Sequence, residues 1–512
     1  MSSLSLPSPS HALVDEAPKQ IPLVRKLLLL LILCLAQILD SFSISSVFSA
    51  LPVIEKSLNI PTSQGVWIIS GNQLTFASTL LISGRISDVY GPRLPFVGGV
   101  TALGLLSLGA GFVNNKLVLI VLRSLSGIAC AMSIPSALTL IVRIFPDPAQ
   151  QARAVGIFGG CGAIADVLGF IIGAVFVQWV TYRWIFWFIG LAALLAGLIG
   201  AVVIPAHLGK AWRTDEKFIP TWRDFDIVGT SVLTAALALF IFAVTTGPVR
   251  GWADPAVIVP LVVSIVLMIA FFLWEARLPV EKAAVPPCVW FYRNFSVLFS
   301  VALLPFFWWT VVYTIFVNLW QSFFRWTAVS AAAHMIPLGI MGFALSFTGG
   351  LGGIVSPKWV ILLGQVMASA ATATLALTGG NPDHYWPFVF PAFLIGTAGT
   401  MLVFTHTNVA ILQTAPTSMA GVVGAMFHVA LQLGSAIGLA AAISIETSVE
   451  FWRGGPTKYD GRAAALWFML GTIVVETISV LWFYHRTSDH QLRPEPTLED
   501  INDEVLQDGR KI

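Results

Sequence analysis

The chain has 512 residues, of which 56% are hydrophobic and only 11% charged, with a formal net charge of +2. An ordinary soluble domain carries about 25% charged residues, so this composition excludes a large soluble protein, whose exterior must be polar, and fits a chain whose exterior faces lipid. A net charge this small says little about partners, and its placement says more; nucleic acid is not expected.

Residues 1–24 are polar and rich in Ser and Pro, and read as a tail. The apolar run after them exceeds the ~7–15 residues of a signal-peptide core and predicts a retained first span. A spanning helix needs about 20 apolar residues. That ruler gives fourteen spans, near 25–53, 66–83, 94–113, 117–142, 155–179, 184–204, 227–246, 256–275, 295–318, 330–348, 359–378, 386–408, 419–444 and 463–484. The second, which carries Asn72 and Gln73, and the tenth are the least apolar. Residues 486–512 form a polar C-terminal tail.

An even number of spans puts both tails on one side, and Lys and Arg choose the side. Nineteen lie in the tails and the loops after even-numbered spans, eight in the loops after odd-numbered spans, and one, Arg123, within a span, which accounts for all 28. Both tails are therefore expected in the cytoplasm. The loop 445–462 is the exception, with Arg453, Lys458 and Arg462 outside, accompanied by Glu446, Glu450 and Asp460. Asn294-Phe-Ser296 matches a glycosylation acceptor, but this topology places it inside. The loop near 205–226 carries Lys210, Arg213, Lys217 and Arg223. It reads as a charged cytoplasmic linker, with anionic lipid as an alternative partner.

Trp184, Trp187, Trp308, Trp309, Trp320 and Trp326 fall at predicted interfaces, as belt anchors do. Trp308, Trp309 and Phe307 are also candidates to line a substrate path. Cys34, Cys130, Cys161 and Cys288 show neither a zinc spacing nor a disulfide framework, and read as small hydrophobes.

The strongest local pattern follows span 2: Gly84-Arg-Ile-Ser-Asp88-Val-Tyr-Gly91-Pro-Arg93. A tight crossing between antiparallel spans needs glycine. Asp88 is placed to cap the next helix or face its positive end. This pattern resembles motif A of the major facilitator superfamily, Gly-x-x-x-Asp-x-x-Gly-x-Arg, which in that family lies between spans 2 and 3. The resemblance implies that Gly84, Asp88, Gly91 and Arg93 help control the switch between outward- and inward-facing states. Arg123-Ser-Leu-Ser-Gly127 in span 4 resembles motif B, whose arginine is implicated in proton coupling; the alternative is an arginine snorkelling toward the outer face.

Span 1 carries Leu39-Asp40 and closes on Ala50-Leu51-Pro52, similar to the first span of fourteen-span drug:proton antiporters. Asp40 falls near the bilayer centre, with Gln37 and Ser43 on its face. A carboxyl balanced between burial and a nearby positive group takes and releases a proton at working pH; the alternative is a permanent ion pair that braces helices. Tyr182-Arg183-Trp184-Ile-Phe186, Phe225-Asp226 and Glu275-Ala-Arg277 fit the same branch, and fungal aminotriazole-resistance-type exporters are the most similar subfamily.

The resemblance implies an all-α major facilitator fold with 14 transmembrane helices in a 6+2+6 arrangement. Residues 1–24 are then a cytoplasmic tail, 25–204 a six-helix bundle, 205–294 a cytoplasmic loop plus two inserted spans, 295–485 a second six-helix bundle and 486–512 a cytoplasmic tail.

One departure concerns motif C, which has a Gly-Pro core in span 5. Here the stretch reads Gly162-Ala-Ile-Ala-Asp166-Val-Leu-Gly169-Phe-Ile-Ile-Gly173. Small residues permit close helix packing, the Gly-Pro is missing, and Asp166 becomes a second mid-membrane carboxyl, a coupling or substrate candidate. The second half echoes the first only in part: Gly349 to Lys358 keeps glycines and a base where a second motif A falls. In span 13, His428, Gln432 and Ser435 share a face; His428 and Gln432 are substrate-path candidates, though a histidine in helix packing is the commoner case. His334 and His406 receive no role, and the resemblance implies that the span of Glu476 is peripheral, which argues against a coupling role.

The expected function is proton-coupled export of small organic molecules by alternating access, with uptake of a nutrient or inorganic species as the alternative. A membrane enzyme or an ATP-driven pump is not expected: the sequence holds no metal-ligand cluster, nucleophile constellation or phosphate-binding loop. No cofactor or metal is expected. The expected partners are a small-molecule substrate, protons and the lipid bilayer. The chain is expected to act as a monomer in the plasma membrane.

Overall fold

The structure, a computed structural model, describes residues 22–60, 67–206, 226–279, 287–349, 355–415, 419–453 and 459–485, with Gly65, Ala283 and Val285. Both tails, the loop holding Lys210, Arg213, Lys217 and Arg223, and the glycine run 350–354 lie outside the described residues.

The described chain is helical. In order come α1 (Leu23–Ser57), α2 (Trp67–Tyr90), α3 (Arg93–Phe112), α4 (Lys116–Ile144), α5 (Pro148–Trp179), α6 (Arg183–Val203), α7 (Ile227–Arg250) and α8 (Pro255–Glu275). Then follow α9 (Phe295–Val301), α10 (Leu304–Asn318), α11 (Ala328–Ser346), α12 (Pro357–Thr378), α13 (Phe390–Gln413), α14 (Ala420–Arg453) and α15 (Asp460–Phe483). α9 and α10 form one crossing, broken ahead of Pro305, which has no N–H for the helical ladder. Side chains on the outside are apolar, as on α8, where Val259, Val262, Val266, Ile269 and Leu273 are exposed; lipid, not water, is the solvent they fit.

Thirteen described helices are long and apolar enough to cross a membrane. The fourteenth crossing is α2. Its 24 residues extend about 36 Å, yet it is too polar to qualify alone. Its polar groups are turned to neighbours: the Asn72 amide donates to the Arg123 carbonyl at 3.0 Å, and the Thr75 hydroxyl to the Ser124 carbonyl at 2.6 Å. Satisfied within protein, they need no partner in lipid.

α2 also runs further than expected. Gly84 to Tyr90 are helical, and the turn is only Gly91-Pro92, with Gly91 at φ 88°, a conformation glycine adopts without a Cβ clash. The N-cap of α3 is Pro92, which makes no side-chain cap bond. The side chains of Arg85 and Asp88 lie outside the described residues.

The two sets of six crossings pack alike. In each, the first crossing lies on the fifth, the second on the fourth, and the third on the fourth and sixth. Polar ties repeat as well. Arg93 donates to the Ala201 carbonyl at the end of α6 (2.7 Å), and Lys358 to the Leu481 and Tyr484 carbonyls at the end of α15 (3.0 and 2.8 Å). Arg25 reaches Val203 (3.5 Å), while Asn294 exchanges two hydrogen bonds with the His485 backbone (2.8 and 2.9 Å). On the opposite face Arg183 bonds the Gly111 carbonyl (3.4 Å) and Tyr459 the Leu375 carbonyl (2.8 Å). These ties put the first and last residues of each set on one face, and the approach of Gly349, just after α11, to Ala152, near the start of α5, makes it the same face for both, called here the terminal face. They also occupy the Asn294 amide, the acceptor of the glycosylation match. At the opposite face Arg462 pairs with Glu446 at 3.1 Å, so the basic loop 445–462 is partly neutralised within the protein.

α7 and α8 form a hairpin that rests through α7 on α2 and α14. Asp226 fastens it, accepting from Gly229 N (2.8 Å) and Trp274 Nε1 (2.9 Å). Of the expected belt tryptophans, Trp184 is exposed, whereas Trp308 and Trp320 are buried and act in packing.

The pairing of α1 with α5 positions the centre of the molecule. Gly162, Gly169 and Gly173 form a stripe along α5, and a Cβ on Gly169 would come within 3.0 Å of the Phe42 backbone and one on Gly173 within 2.6 Å of the Ser46 carbonyl. Gly169→Leu should destabilise the protein by about 3 kcal/mol. A thermal melt of the purified protein checks this; an unchanged midpoint contradicts the close α1–α5 approach.

Candidate functional site

Between the two sets of crossings lies a cavity of about 400 Å³. One side supplies Gln37, Asp40 and Ser41 from α1, Gln73 from α2 and Asp166 and Phe170 from α5. The other supplies Phe306, Trp309 and Tyr313 from α10, Phe404 from α13, and His428 and Gln432 from α14. α1, α5 and α10 all run from the terminal face, and the cavity takes α1 from Gln37 to Phe48, α5 from Gly159 to Phe170, and α10 from Phe306 to its end at Asn318, with Gln321 just beyond it. It therefore occupies the bilayer centre and extends toward the opposite face.

Its terminal side is shut by close contact between the halves. Gly349 abuts the Ala152 carbonyl, Gly156 the Ser346 carbonyl, Gly160 the Ser346 side chain and Gly159 the Phe404 ring. The floor is aromatic: Phe306 and Phe404 stack with centroids 6.4 Å apart, and Trp309 lies 5.9 and 6.1 Å from them.

Asp40 is only 6% exposed, and its Oδ1 accepts no hydrogen bond. The Cys130 thiol lies against its carboxyl, and Arg123 is close enough to act on it through space. Among the described residues the two do not form a direct ion pair. The Arg123 guanidinium, itself 1% exposed, donates from Nη1 to Ser43 Oγ (2.7 Å) and from Nε to the Ile68 carbonyl (3.3 Å), while Nη2 has no acceptor. An arginine this deep, bonded to α1 and α2, is not snorkelling to an interface.

Asp166, on the same stripe of α5 as Gly162, Gly169 and Gly173, is carried by the α1–α5 pairing to the cavity wall, within electrostatic reach of Asp40 and Tyr313. Gln37 lines the cavity beside Asp40, with its Oε1 unbonded. Ser43 does not line it; it faces α4 and receives Arg123. His428 is anchored through Nδ1 to the Gly424 carbonyl at 3.0 Å, which directs the proton to Nδ1, and Gln432 stands one turn further along the wall.

Trp308 and Trp309 part company. Trp309 lines the cavity, but Trp308 is fully buried on the far side of α10, where its Nε1 donates to Thr372 Oγ1 at 2.9 Å and its ring fills the space over Gly396. Phe307 packs over Gly438. Trp309→Ala should weaken substrate binding about tenfold, while Trp308→Phe leaves it within about twofold; equilibrium binding to both variants checks this, and equal losses would contradict it.

Sequence reasoning missed Tyr313, Phe306 and Phe404. The first two sit four residues after and three before Trp309, so helical spacing from Trp309 was the signal; nothing local marks Phe404. Of the motif A residues, Gly84 is buried, Gly91 makes the turn, and Arg93 ties α3 to the end of α6 within one half.

A model of the Major Facilitator Superfamily matches residues 33–439. The chain is 25% identical over 464 residues to the Major facilitator superfamily multidrug transporter mfsC of Aspergillus fumigatus, covering 87% of this chain and 85% of that protein. It is also 25% identical to the low affinity ammonium transporter of Saccharomyces cerevisiae, over 89% of this chain and 87% of that one. The crystal structure of the human organic anion transporter MFSD10 superposes with a TM-score of 0.62 at 12% identity, covering 90% of this chain and all (100%) of that one. A central cavity between two similarly packed sets of six crossings, together with a match over most of its length, makes this chain a multi-pass membrane transporter belonging to the Major Facilitator Superfamily.

Proposed function

We propose that the protein is a proton-coupled exporter of small organic molecules working by alternating access. The observation that carries this reading is the cavity itself, drug-sized, largely apolar, and holding two carboxylates at mid-membrane beside a buried arginine. Residues 25–204 and 295–485 form the two rocking bundles, and 205–294 supply the loop and the inserted α7–α8 hairpin. Asp40 carries the proton, with Arg123 setting its field, and Gly84, Asp88, Gly91 and Arg93 govern the switch at the terminal face. The protein acts as a monomer in the plasma membrane with both ends in the cytoplasm, as the nineteen-to-eight bias of Lys and Arg supports. A proton crossing ~100 mV releases ~2.3 kcal/mol, and a pH unit adds ~1.4, enough for a solute gradient of about 500-fold.

Proton-coupled uptake of a small nutrient or ion is the second reading. The missing Gly-Pro core of span 5 favours it, as does the likeness to a low affinity ammonium transporter. Accumulation of candidate compounds in cells with and without the gene, with and without a protonophore, tests the two. Export predicts lower accumulation in cells carrying the gene, restored by the protonophore. Higher accumulation in those cells supports uptake, and no difference for any compound contradicts both.

A further inference from the structure

We propose that Glu476 is a protonation site of the second half, separate from the cavity, and that its proton closes a carboxyl–carboxamide pair with Gln365 that seals the break in the first crossing of that half.

The first ground is convergence at one depth. Lys358, at the start of α12, bonds the Leu481 and Tyr484 carbonyls, and Asn294, just ahead of α9, bonds the His485 carbonyl. Counted from these ties at about 1.5 Å per residue, Gln365 lies about 10 Å along α12, Val301 about 10 Å along α9 and Glu476 about 8–13 Å along α15. Thr372, two turns beyond Gln365 on the same stripe, receives the Trp308 indole. Trp308 stands two turns beyond Val301, so this stripe of α12 faces the broken crossing. α15 packs on α12 and touches α9.

The second ground is an imbalance of donors and acceptors. Gln365 is fully buried, and neither its Oε1 nor its Nε2 has a partner. Glu476 is 8% exposed, its Oε2 is unbonded, and no hydrogen bond or ion pair to it is formed among the described residues. At the break, Pro305 has no N–H to return to the Val301 carbonyl. A carboxylate, an amide oxygen and a backbone carbonyl thus share the N–H groups of one amide. A carboxylate cannot give Gln365 Oε1 the donor it lacks. A carboxylic acid can, while its own carbonyl oxygen accepts from Nε2. One proton therefore turns two mismatched side chains into a ring of two hydrogen bonds. Packed helices stand about 8–10 Å apart, a gap that two side chains this long bridge by rotation.

The third ground is the lack of another partner. α15 packs on α9, α10, α12 and α14. α9 carries no titratable side chain. On α12, Lys358 is spent on the carbonyls at the end of α15. On α10 and α14, Tyr313 and His428 line the cavity. Glu446, Glu450 and Arg453 lie toward the opposite face, where Arg462 pairs with Glu446. Among the described residues no cation stands beside Glu476, and a proton is the partner that needs no room.

The fourth ground is the contrast with the first half. There the first crossing runs unbroken from Leu23 to Ser57, and the buried faces of α3 and α6 hold no ionisable side chain. The acid, the amide and the break occur together only in the half whose Phe306 and Trp309, directly after the break, form the cavity floor. The closed pair holds the start of α10 in place.

The test uses the purified full chain in lipid nanodiscs, with no substrate and no gradient. In infrared difference spectra at neutral pH, Glu476→Gln should remove one protonated-carboxyl band, and Gln365→Leu should shift that band without removing it. Amide hydrogen exchange across residues 299–307 should be at least about tenfold faster in Gln365→Leu, which breaks the pair, and within about twofold of wild type in Glu476→Gln, which keeps a neutral donor and acceptor. Loss of a carboxylate band in Glu476→Gln overturns the proposal. So does a carboxyl band unmoved in Gln365→Leu, unchanged exchange at the break in that variant, or equally fast exchange in both variants. Gln365→Leu keeps the carboxyl, so its spectrum decides the question even where Glu476→Gln fails to fold. Neither readout involves transport, so failure of proton-coupled export leaves this result standing, and the reverse also holds.

Discussion

Asp40→Asn should lower pH-gradient-driven transport at least about 100-fold, equivalent to about 2.7 kcal/mol, while substrate-for-substrate exchange continues. The argument starts from what surrounds the carboxyl. It is 6% exposed with one oxygen unbonded. Arg123 lies close by, but its hydrogen bonds go to Ser43 and Ile68. A carboxyl in contact with a guanidinium would be locked in one charge state; one held at a distance can change state as the cavity changes its access to water. Asparagine keeps the shape and an acceptor for the Cys130 thiol but has no proton to give. Exchange moves no net proton and so should persist in reconstituted vesicles. Wild-type gradient-driven flux in this variant removes Asp40 from the coupling mechanism, and loss of exchange as well shows damage to the binding site.

Gly156→Val should abolish transport and leave the protein open on its terminal face. Gly156 lies where α5 meets α11. A Cβ there runs into the Ser346 carbonyl, with Thr405 Cγ2 at 3.3 Å and Gly349 Cα at 3.5 Å. A backbone carbonyl cannot rotate away as a side-chain tip can, so the halves must separate. The α1–α5 pairing is untouched, because its glycines are Gly162, Gly169 and Gly173, and valine is tolerated within a helix. The readout is a cysteine at Thr405, which is fully buried, in a protein with Cys34, Cys130, Cys161 and Cys288 replaced. Labelling from the terminal face with an impermeant maleimide should be at least about tenfold faster in Gly156→Val, a shift of about 1.4 kcal/mol. Unchanged shielding with transport intact contradicts the placement of the closed seam.

The membrane spans were legible because lipid demands long apolar segments, and length and hydropathy are local properties. α2 resisted that ruler for the opposite reason. Its Asn72 and Thr75 are satisfied by α4, and only the packed structure shows the partners. The polar positions Gln37, Asp40, Arg123 and Asp166 stood out because each is costly in lipid. Their convergence did not, since it depends on a glycine stripe bringing α5 against α1. Trp308 and Trp309 are adjacent in sequence yet point about 100° apart around a helix, so one enters the cavity and its neighbour the packing over Gly396. The end of α2 was drawn at the edge of the apolar run, near residue 83. The helix continues through Tyr90, since polar residues outside lipid do not end a helix and the left-handed Gly91 does.

The most direct test of the central claim is substrate flux in vesicles of the purified protein, with the membrane potential clamped and a pH gradient imposed. A compound identified in the cellular assay should move against the proton flow, accumulating on the acidic side, and a protonophore should collapse that accumulation. Movement in the same direction as the protons, or flux indifferent to the gradient, would contradict proton-coupled export through this cavity.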